Sequence, residues 1–555
     1  MMRKKTKMAW SVALSAAMAA GLLAGCGSNG GAESTSGSTA ASSAKTESSA
    51  GDTADTSDRP TYKIATVRWT DTWPTDFLHE GVMKEIEDKM NINIDWQVYY
   101  NSDWSEQKSL LLASGDLPDA FLGSICLTQA DMAQNKSAFL DLTDLIEKDM
   151  PNLKAAFEAD PELKAVCTSR DGRIYSLPKK LPLRPKVCGD VMCINQEWLD
   201  NLGLETPKTY KELEEVLVKF ATEDADGDGD PTNEIGITNS AGSGLLSGDL
   251  RHILSPFGTM VSRDGNYMGL NGEGKPVFMP MEENYKEAVK WMRQLWEEGV
   301  VDPEYFTQDG SMKTAKQQAD GGSQVGLIFG WTAEVGPNVN QFKTLEAVEG
   351  YDGNHYVEAA TNYLDISDRE LMISKDCKDP DTLLKWADEF YTDLASLQTF
   401  YGSVGSQITD NGDGTYNVDV PSDGSSLDTS AWSNSLRDFG PKYMNGDFYD
   451  KVSLPEDQGD GIKLADDAIN EKYVDTEKNC GFPMVQYTDE DLSRITAIGT
   501  DIYKYVEAQY AHWVVDGGID DEWDSYIDQL KAMGIDEFLQ IQTDAYNAYK
   551  ENLAK

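Results

Sequence analysis

Residues 61–123 read TYKIATVRWTDTWPTDFLHEGVMKEIEDKMNINIDWQVYYNSDWSEQKSLLLASGDLPDAFLG, and this stretch decides the fold. It begins with a short strand, TYKIATV, which is followed by an amphipathic helix, HEGVMKEIEDKM. Next come a strand of alternating apolar residues, INIDWQVYY, a helix through SEQKSLLLAS and a short strand at PDAFLG. Because strands alternate with helices, the stretch predicts an α/β lobe with a largely parallel sheet.

Apolar spacing further along the chain predicts a second α/β lobe and a helical C-terminal region. Apolar residues recur at the i, i+3, i+4 and i+7 positions of a helix in several later segments. These segments begin at Thr206-Pro207, span 284–298 and 381–401, and begin again at Thr488. Between them, VGLIF at 325–329 and ELMIS at 370–374 have the length and composition of short buried strands.

The N-terminus has the features of a secretory signal. Four cations between Arg3 and Lys7 precede a weakly apolar run over 8–24, which is at the short end of what a bilayer span needs. The run ends at Leu23-Ala24-Gly25-Cys26, which resembles the lipobox of bacterial lipoproteins, where a diacylglyceryl group is attached to the cysteine. We therefore predict a signal peptide over 1–25, lipidation of Cys26 and a flexible polar linker over 26–59.

Charge and cysteine usage exclude several classes of protein. The chain has 95 acidic and 48 basic residues, and the resulting formal charge of -47 repels phosphate backbones, so nucleic acid is excluded as a partner. Six cysteines follow Cys26, and none has the C-x-x-C spacing of a zinc or redox site. They could be buried thiols or could pair, with Cys188 and Cys193 close enough in sequence to consider.

The acidic stretch DADGDGDPTNE, residues 224–234, resembles an EF-hand calcium loop. Its first carboxylates alternate along the chain, and Gly229 permits the sharp turn that such a loop needs. The twelfth position is Ile235, so the closing carboxylate of Glu234 comes one place early. The predicted Ca²⁺ ligands are Asp224, Asp226, Asp228, the carbonyl of Asp230, and Glu234. The alternative is a solvated acidic turn.

The sequence has no recognisable catalytic motif. Its four histidines do not form an H-E-x-x-H or nucleophile–base pattern, and there is no G-x-S-x-G elbow or Walker-type glycine loop. We therefore predict that the protein is not an enzyme. A glycoside hydrolase with two carboxylates in a cleft remains an alternative, because 95 acidic residues offer many such pairs.

Aromatic residues follow several of the predicted strands, where ligands bind in open α/β sheets. Indole rings there can stack on the apolar faces of sugar rings, and neighbouring charged groups can hydrogen-bond to hydroxyls. The candidate ligand contacts are Trp69, Asp71, Trp73, Trp104, Arg184 and Trp331. The alternative for each tryptophan is core packing.

Several motifs in a fixed order resemble the family 1 extracellular solute-binding proteins, in the lipoprotein branch of Gram-positive bacteria. They are ASGDLPD (113–119), DGRIYSLP (171–178), NQEWLDNLGL (195–204), VGLIFG (325–330), WDSYI (523–527) and LKAMGI (530–535), together with the lipobox and linker. The resemblance covers nearly the whole mature chain. Some family members carry a structural calcium where the acidic loop occurs here.

The resemblance implies two α/β lobes joined by hinge crossovers, with a carbohydrate bound between them. An oligosaccharide is the prediction, and the alternatives are a mono- or disaccharide and a peptide-like or sialic-type solute. It also implies delivery to the permease subunits of an ATP-binding-cassette importer, by a monomer anchored at the outer face of the cytoplasmic membrane.

We predict one lobe from 60–185 plus about 335–385. The other is predicted from 186–334, with the calcium loop at 224–235, plus about 386–555. A surface adhesion protein with calcium modules is a further alternative, but it would show repeated calcium loops.

Overall fold

The computed structural model describes residues 59–181, 188–241, 245–261, 266–334, 338, 340–358, 366–444, 447–474 and 482–554. The predicted signal peptide, Cys26, most of the linker, Arg184 and Cys480 lie outside these residues. The strands are β1 Thr61–Arg68, β2 Asn93–Tyr100, β3 Ala120–Leu122, β4 Leu177–Lys180, β5 Val191–Asn195, β6 Ile235–Ile237, β7 Met268–Leu270, β8 Pro276–Phe278, β9 Val325–Gly330, β10 Phe342–Thr344, β11 Ile366–Ile373, β12 Ile408–Asp410, β13 Tyr416–Val418, β14 Lys442–Tyr443 and β15 Val452–Ser453.

Helices cover both sheets and form the C-terminal region. They are α1 Gly81–Met90, α2 Asn101–Ser114, α3 Gln129–Gln134, α4 Thr143–Asp149, α5 Pro151–Ala159, α6 Pro161–Cys167, α7 Gln196–Leu202, α8 Tyr210–Thr222, α9 Glu283–Glu297, α10 Gly310–Gln317, α11 Pro380–Asp388, α12 Asp393–Tyr401, α13 Leu427–Asn434, α14 Phe448–Lys451, α15 Gly459–Asn470, α16 Asp489–Val515, α17 Ile519–Ala532 and α18 Ile535–Leu553. Among the described residues, no helix combines the length and the apolar character needed to cross a membrane.

The first lobe is built on a six-stranded sheet in the order β14-β4-β11-β3-β1-β2. Strand β1 pairs in parallel with β2 and β3, whereas β11 runs antiparallel to its neighbours β3 and β4. The core of this lobe contains Ile64, Leu122, Leu371 and Trp386, which are buried in one cluster. The predicted β-α-β-α-β order of residues 61–123 is therefore confirmed.

The second lobe is built on a four-stranded sheet in the order β10-β5-β9-β6. Strand β5 is antiparallel to β10 and β9, while β6 is parallel to β9. A separate apolar cluster, which includes Ile194, Trp198, Leu213 and Trp513, packs this sheet against α7, α8 and the C-terminal helices. Two sheets with two separate cores make the molecule a two-lobed α/β protein, as the sequence predicts.

The strand pairing differs from the predicted lobe boundaries in two segments. Strand β10 falls in the segment 335–385 assigned to the first lobe, but it pairs with β5 of the second sheet. Trp386 and Phe390 fall in the segment 386–555 assigned to the second lobe, but they pack in the core of the first. The chain returns to the first sheet only at β11, because β10 completes the edge of the second sheet before the chain crosses.

Helix boundaries follow local capping. The helix predicted from Thr206-Pro207 begins at Tyr210, because Thr209 and Glu212 form a capping box there. The helix predicted over 381–401 is divided into α11 and α12, which a short 3₁₀ turn separates. Thr488 is the N-cap of α16, where its side chain accepts a hydrogen bond from the backbone of Asp491.

Candidate ligand-binding cleft

Sheet topology places the candidate site where the chain crosses between lobes. Strands β1, β3 and β4 run in the same direction, so their carboxyl ends share one edge of the first sheet with the start of β11. In the second sheet, β6 and β9 end beside the start of β5. The chain passes between these two edges from β4 to β5 and from the segment after β10 to β11. The loops that follow β1 and β9 leave from these two edges, so their residues are candidates for contact with a ligand bound between the lobes.

Four aromatic side chains gather at the end of β1, and we call them the aromatic group: Trp69, Trp73, Trp432 and Phe439. The ring of Trp73 is stacked on Trp432, with centroids 4.9 Å apart and planes 15° apart. The Trp69 centroid is 5.9 Å from that of Phe439, and Trp69 remains 46% exposed. A partly exposed indole ring that rests against another aromatic ring is suited to stacking on a sugar ring.

A buried arginine holds the aromatic group in place. Arg68, the last residue of β1, is almost fully buried, and its guanidinium lies 5.0 to 6.0 Å from the ring centroids of Phe77, Trp432 and Trp73. It donates hydrogen bonds to the carbonyl of Ser435 at 3.3 Å and to that of Trp432. These contacts connect the end of β1 to the end of α13, which carries Trp432.

A buried carboxylate fixes the neighbouring loops. Glu370, on β11, accepts hydrogen bonds from the backbone N–H groups of Ser124 at 3.2 Å and Gly440 at 2.8 Å. Its other oxygen lies 3.1 Å from Nζ of Lys179. The loop after β3 and the loop that carries Phe439 are therefore both held by one side chain of the same sheet.

The second lobe contributes Trp331 and Phe329 at the end of β9. The ring of Phe329 is stacked on His252 at 4.7 Å, and the half-buried Trp331 lies with its centroid 4.6 Å from Nζ of Lys463. His252 Nε2 is 3.7 Å from a carboxylate oxygen of Asp190, a residue that is only partly buried. This edge thus brings two aromatic rings close to a carboxylate, which are groups of the kind that line sites for polyhydroxylated ligands.

Helix α15 contacts both lobes. In its first turn, the carboxylate of Asp460 accepts a hydrogen bond from the Tyr401 hydroxyl at 2.7 Å and another from Arg437 Nη2 at 2.9 Å. At its last turn, the amide of Asn470 accepts from the backbone N–H of Ala347 at 2.8 Å and donates to the carbonyl of Leu345 at 3.1 Å. The helix therefore begins on the first lobe and ends on the second.

A crevice of about 990 Å³, counted to its open mouth, lies at another part of the lobe junction. The Gln129 side chain donates to Oε1 of Gln486 at 3.0 Å, and the Gln486 amide in turn donates to Asp368 at 2.8 Å. These bonds attach the segment before α16 to the first lobe. None of the predicted ligand contacts lines this crevice.

The structure separates the predicted ligand contacts into groups. Trp69 and Trp73 lie together with the exposed Asp71 after β1, and Trp331 lies after β9. Trp104 is a correction: it is 4% exposed, and its indole N–H donates to the carbonyl of Cys126 at 2.7 Å. Because α2 turns this residue into the space beneath β1 and β3, Trp104 is part of the core. Arg184 falls outside the described residues.

Sequence reasoning missed Phe329 and the two buried rings that support Trp69 and Trp73, namely Phe439 and Trp432. Trp432 and Phe439 are far from β1 in sequence, and only the fold brings α13 and the following loop to that edge. A usable signal was the Phe439-Gly440-Pro441 turn, since an aromatic residue in a Gly-Pro loop is rarely in a regular core element. Phe329 lies within an apolar strand, and nothing in that pattern indicates a ligand contact.

The acidic loop brings three of its predicted calcium ligands together. Carboxylate oxygens of Asp224, Asp226 and Asp228 lie within 4.8 Å of one another. The carboxyl of Glu234 is buried, which raises its pKa, and its Oε2 has no hydrogen-bond partner among the described residues. The Asp230 side chain instead accepts hydrogen bonds from Thr232. Close carboxylates beside an unpartnered buried oxygen fit a Ca²⁺ ion, which is bound by oxygen ligands.

The structure describes five cysteines, which exclude Cys26 and Cys480. All five are free thiols, and all are buried. Burial raises the pKa of Cys188 and Cys193 to about 12, and that of Cys377 to about 11. Burial raises the pKa of the Cys126 and Cys167 thiols further still. Buried thiols with raised pKa values are structural and not reactive.

Comparison with known proteins gives consistent matches. Residues 72–394 match the family described as bacterial extracellular solute-binding protein. The chain is 31% identical over 497 residues to the fructooligosaccharide ABC transporter substrate-binding protein FusA of Streptococcus pneumoniae serotype 4, covering 86% of this chain and 89% of FusA.

Solved structures show the same two-lobed arrangement. An EF-hand mutant of S. pneumoniae FusA in complex with fructo-nystose has a TM-score of 0.74 and 30% identity, covering 89% of this chain and all of that one. An HMO-binding solute-binding protein from Bifidobacterium longum infantis has a TM-score of 0.76 and 25% identity, and the match covers 89% of this chain and 99% of that one.

Proposed function

The chain belongs to the bacterial extracellular solute-binding proteins, and we propose that it is the oligosaccharide receptor of an ATP-binding-cassette importer. The observation that carries this proposal is that aromatic rings lie at the ends of β1 and β9. These two strands belong to different lobes, and the chain crosses from one lobe to the other. The likeness to FusA makes fructo-oligosaccharides the first candidates for the ligand.

The mechanism needs two conformations of similar free energy. An oligosaccharide that stacks on Trp69 and on Trp331 contacts both lobes only when they are close together, so it stabilises the closed form. We propose that Asp71 and Asp190 accept hydrogen bonds from sugar hydroxyls. The permease then distinguishes the closed, loaded receptor from the open one. Binding without chemistry is sufficient for this role, and we infer that the protein does not hydrolyse its ligand.

Thermal unfolding against a panel of kestose, maltotriose, a milk oligosaccharide and glucose tests the proposal. A sugar at 100 times its Kd stabilises the fold by about 2.7 kcal/mol, which raises the midpoint measurably. We expect a shift with at least one oligosaccharide, little with glucose, and no release of reducing ends on incubation. If no panel sugar shifts the midpoint, or if a sugar is cleaved, the proposal is wrong.

We also propose that the acidic loop holds a structural calcium ion. Asp224, Asp226, Asp228 and Glu234 would supply its carboxylate ligands, with the carbonyl of Asp230. Bound calcium supplies positive charge that offsets the repulsion between these carboxylates. After EDTA dialysis, added Ca²⁺ should raise the unfolding midpoint of the wild type. This increase in the midpoint should be lost in Asp226→Asn. It should be kept in Asp413→Asn, the matched control, which makes the same change in an exposed turn. Equal midpoints with and without Ca²⁺ would contradict the site.

Lipid attachment at Cys26 is a third proposal, and it rests on the Leu23-Ala24-Gly25-Cys26 motif and the polar segment that follows. Two acyl chains on one residue give stable attachment to a bilayer. Fractionation of producing cells should find the wild type with membranes and Cys26→Ala in the medium or unprocessed. Membrane association that persists unchanged in Cys26→Ala would exclude this anchor.

A further inference from the structure

Lys463, in the middle of α15, joins three parts of the second lobe. Its side chain is fully buried, and Nζ donates a hydrogen bond to the carbonyl of Gly189 at 2.6 Å, just before β5. Nζ also forms an ion pair with Asp467 at 2.7 Å, one turn further along α15. The same ammonium lies 4.6 Å from the ring centroid of Trp331.

The contact with Trp331 is more than incidental packing. A buried ammonium attracts the negative face of an indole ring, and the attraction is strongest when the pair is removed from water. Asp467 and Gly189 prevent the ammonium from moving away, so the ring is oriented by a fixed charge. The backbone N–H of Ala333 also donates to Asp466 of α15 at 3.2 Å, which holds the segment after β9 against the same helix.

One face of the Trp331 ring is therefore occupied by a side chain from α15, a helix whose first turn is attached to the first lobe through Asp460. In the proposed function, the sugar ring contacts the opposite face of this indole. Because Gly189 follows the crossover from β4 to β5, Lys463 also ties the end of that crossover to the position of the ring.

We propose that Lys463 is a positioning residue for oligosaccharide binding, which holds the Trp331 ring in its binding orientation from the side opposite the ligand. This inference rests on the proposed function, in which Trp331 contacts the sugar. It predicts that Lys463 affects affinity only through Trp331.

A double-mutant cycle on affinity tests this dependence. Lys463→Met alone would leave the buried Asp467 carboxylate without this cation, so the test variant is Lys463→Met with Asp467→Asn. Its affinity for kestose, or for whichever panel sugar binds more tightly, is measured by calorimetry in the wild-type and Trp331→Ala backgrounds. We expect about a tenfold loss in the first background, as a desolvated cation–π contact supports, and no further loss in the second.

The matched control is Lys211→Met with Glu214→Gln. Lys211 pairs with Glu214 on α8 at 2.8 Å and lies 5.1 Å from the ring centroid of Tyr210, so it repeats the ion pair and the ring contact at a more exposed position outside the candidate site. This control should keep wild-type affinity. Equal losses in both Trp331 backgrounds, or no loss in the first, would overturn the inference while the receptor function stands. Absence of binding by every panel sugar would overturn the proposed function and this inference together.

Discussion

The two halves of the candidate cleft support their aromatic rings in different ways. On the first lobe, the aromatic group is held by Arg68 and Glu370, both of which lie on strands of the same sheet. On the second lobe, Trp331 is oriented by Lys463, which comes from a helix that also contacts the first lobe. One half is self-contained, whereas the other depends on how the two lobes are connected.

This difference indicates a division of roles. A platform that its own sheet fixes can present a constant surface to the ligand in the open and closed states. A ring that a connecting helix orients can respond to the relative position of the lobes. We therefore expect mutations in the anchors of the first lobe to reduce stability, and mutations around Trp331 to reduce affinity.

The largest effect should come from Trp104, which separates core packing from ligand contact on the first lobe. Trp104→Ala removes a buried ring and its hydrogen bond to Cys126, so the free energy of unfolding should fall by about 3–5 kcal/mol. Urea denaturation measures the loss. Sugar affinity, measured well below the unfolding transition, should be unchanged, and a large loss of affinity in the folded variant would return Trp104 to the site.

Glu370→Gln should have the next largest effect, because it removes the charge that Lys179 faces inside the first lobe. Breaking a buried pair by removing one partner costs about 3 kcal/mol or more. Glu273→Gln is the matched control, since Glu273 pairs with Lys275 on the surface. Urea denaturation should show no measurable loss in its free energy of unfolding. Equal stability of the two variants would contradict the anchoring role of Glu370.

Trp69→Ala should leave the free energy of unfolding nearly unchanged, because the ring is 46% exposed. Sugar affinity should fall by about 1 kcal/mol, the scale of one aromatic stacking contact. Calorimetric titration of the variant checks this value. Wild-type affinity in Trp69→Ala would show that the aromatic group is not a ligand surface.

A further expected effect is a pH dependence of stability that arises in the second lobe. Burial raises the pKa of Asp249 to about 6, although hydrogen bonds from Tyr305, Tyr510 and Asn239 oppose the rise, as does the charge of Lys313. A raised folded-state pKa means that the native protein binds more protons, so this contribution to stability is complete below about pH 4 and is lost as pH rises through about 6. The stability of Asp249→Asn should decline less over this interval, and parallel pH profiles would be inconsistent with the assignment.

The sequence was sufficient for the fold because its signals are local. Strand and helix alternation in residues 61–123 and the cap at Thr488 involve neighbours in the chain, and the structure confirms both. The pairing of β10 with β5 and the packing of Trp386 in the first core could not be predicted, since an amphipathic face does not specify which core it covers. For the same reason, Trp104 and Trp69 looked alike in sequence although one is core and the other is exposed. The partners that orient Trp69 and Trp331, namely Phe439 and Lys463, are too distant in sequence for any spacing rule.

The most direct test of the account is small-angle X-ray scattering of the purified protein with and without a saturating oligosaccharide from the panel. The account predicts a smaller radius of gyration when the sugar is bound, because the ligand draws two separate lobes together, and a weaker response in Trp331→Ala. Calorimetric binding of the sugar without any change in the scattering profile would contradict capture by closure of the lobes.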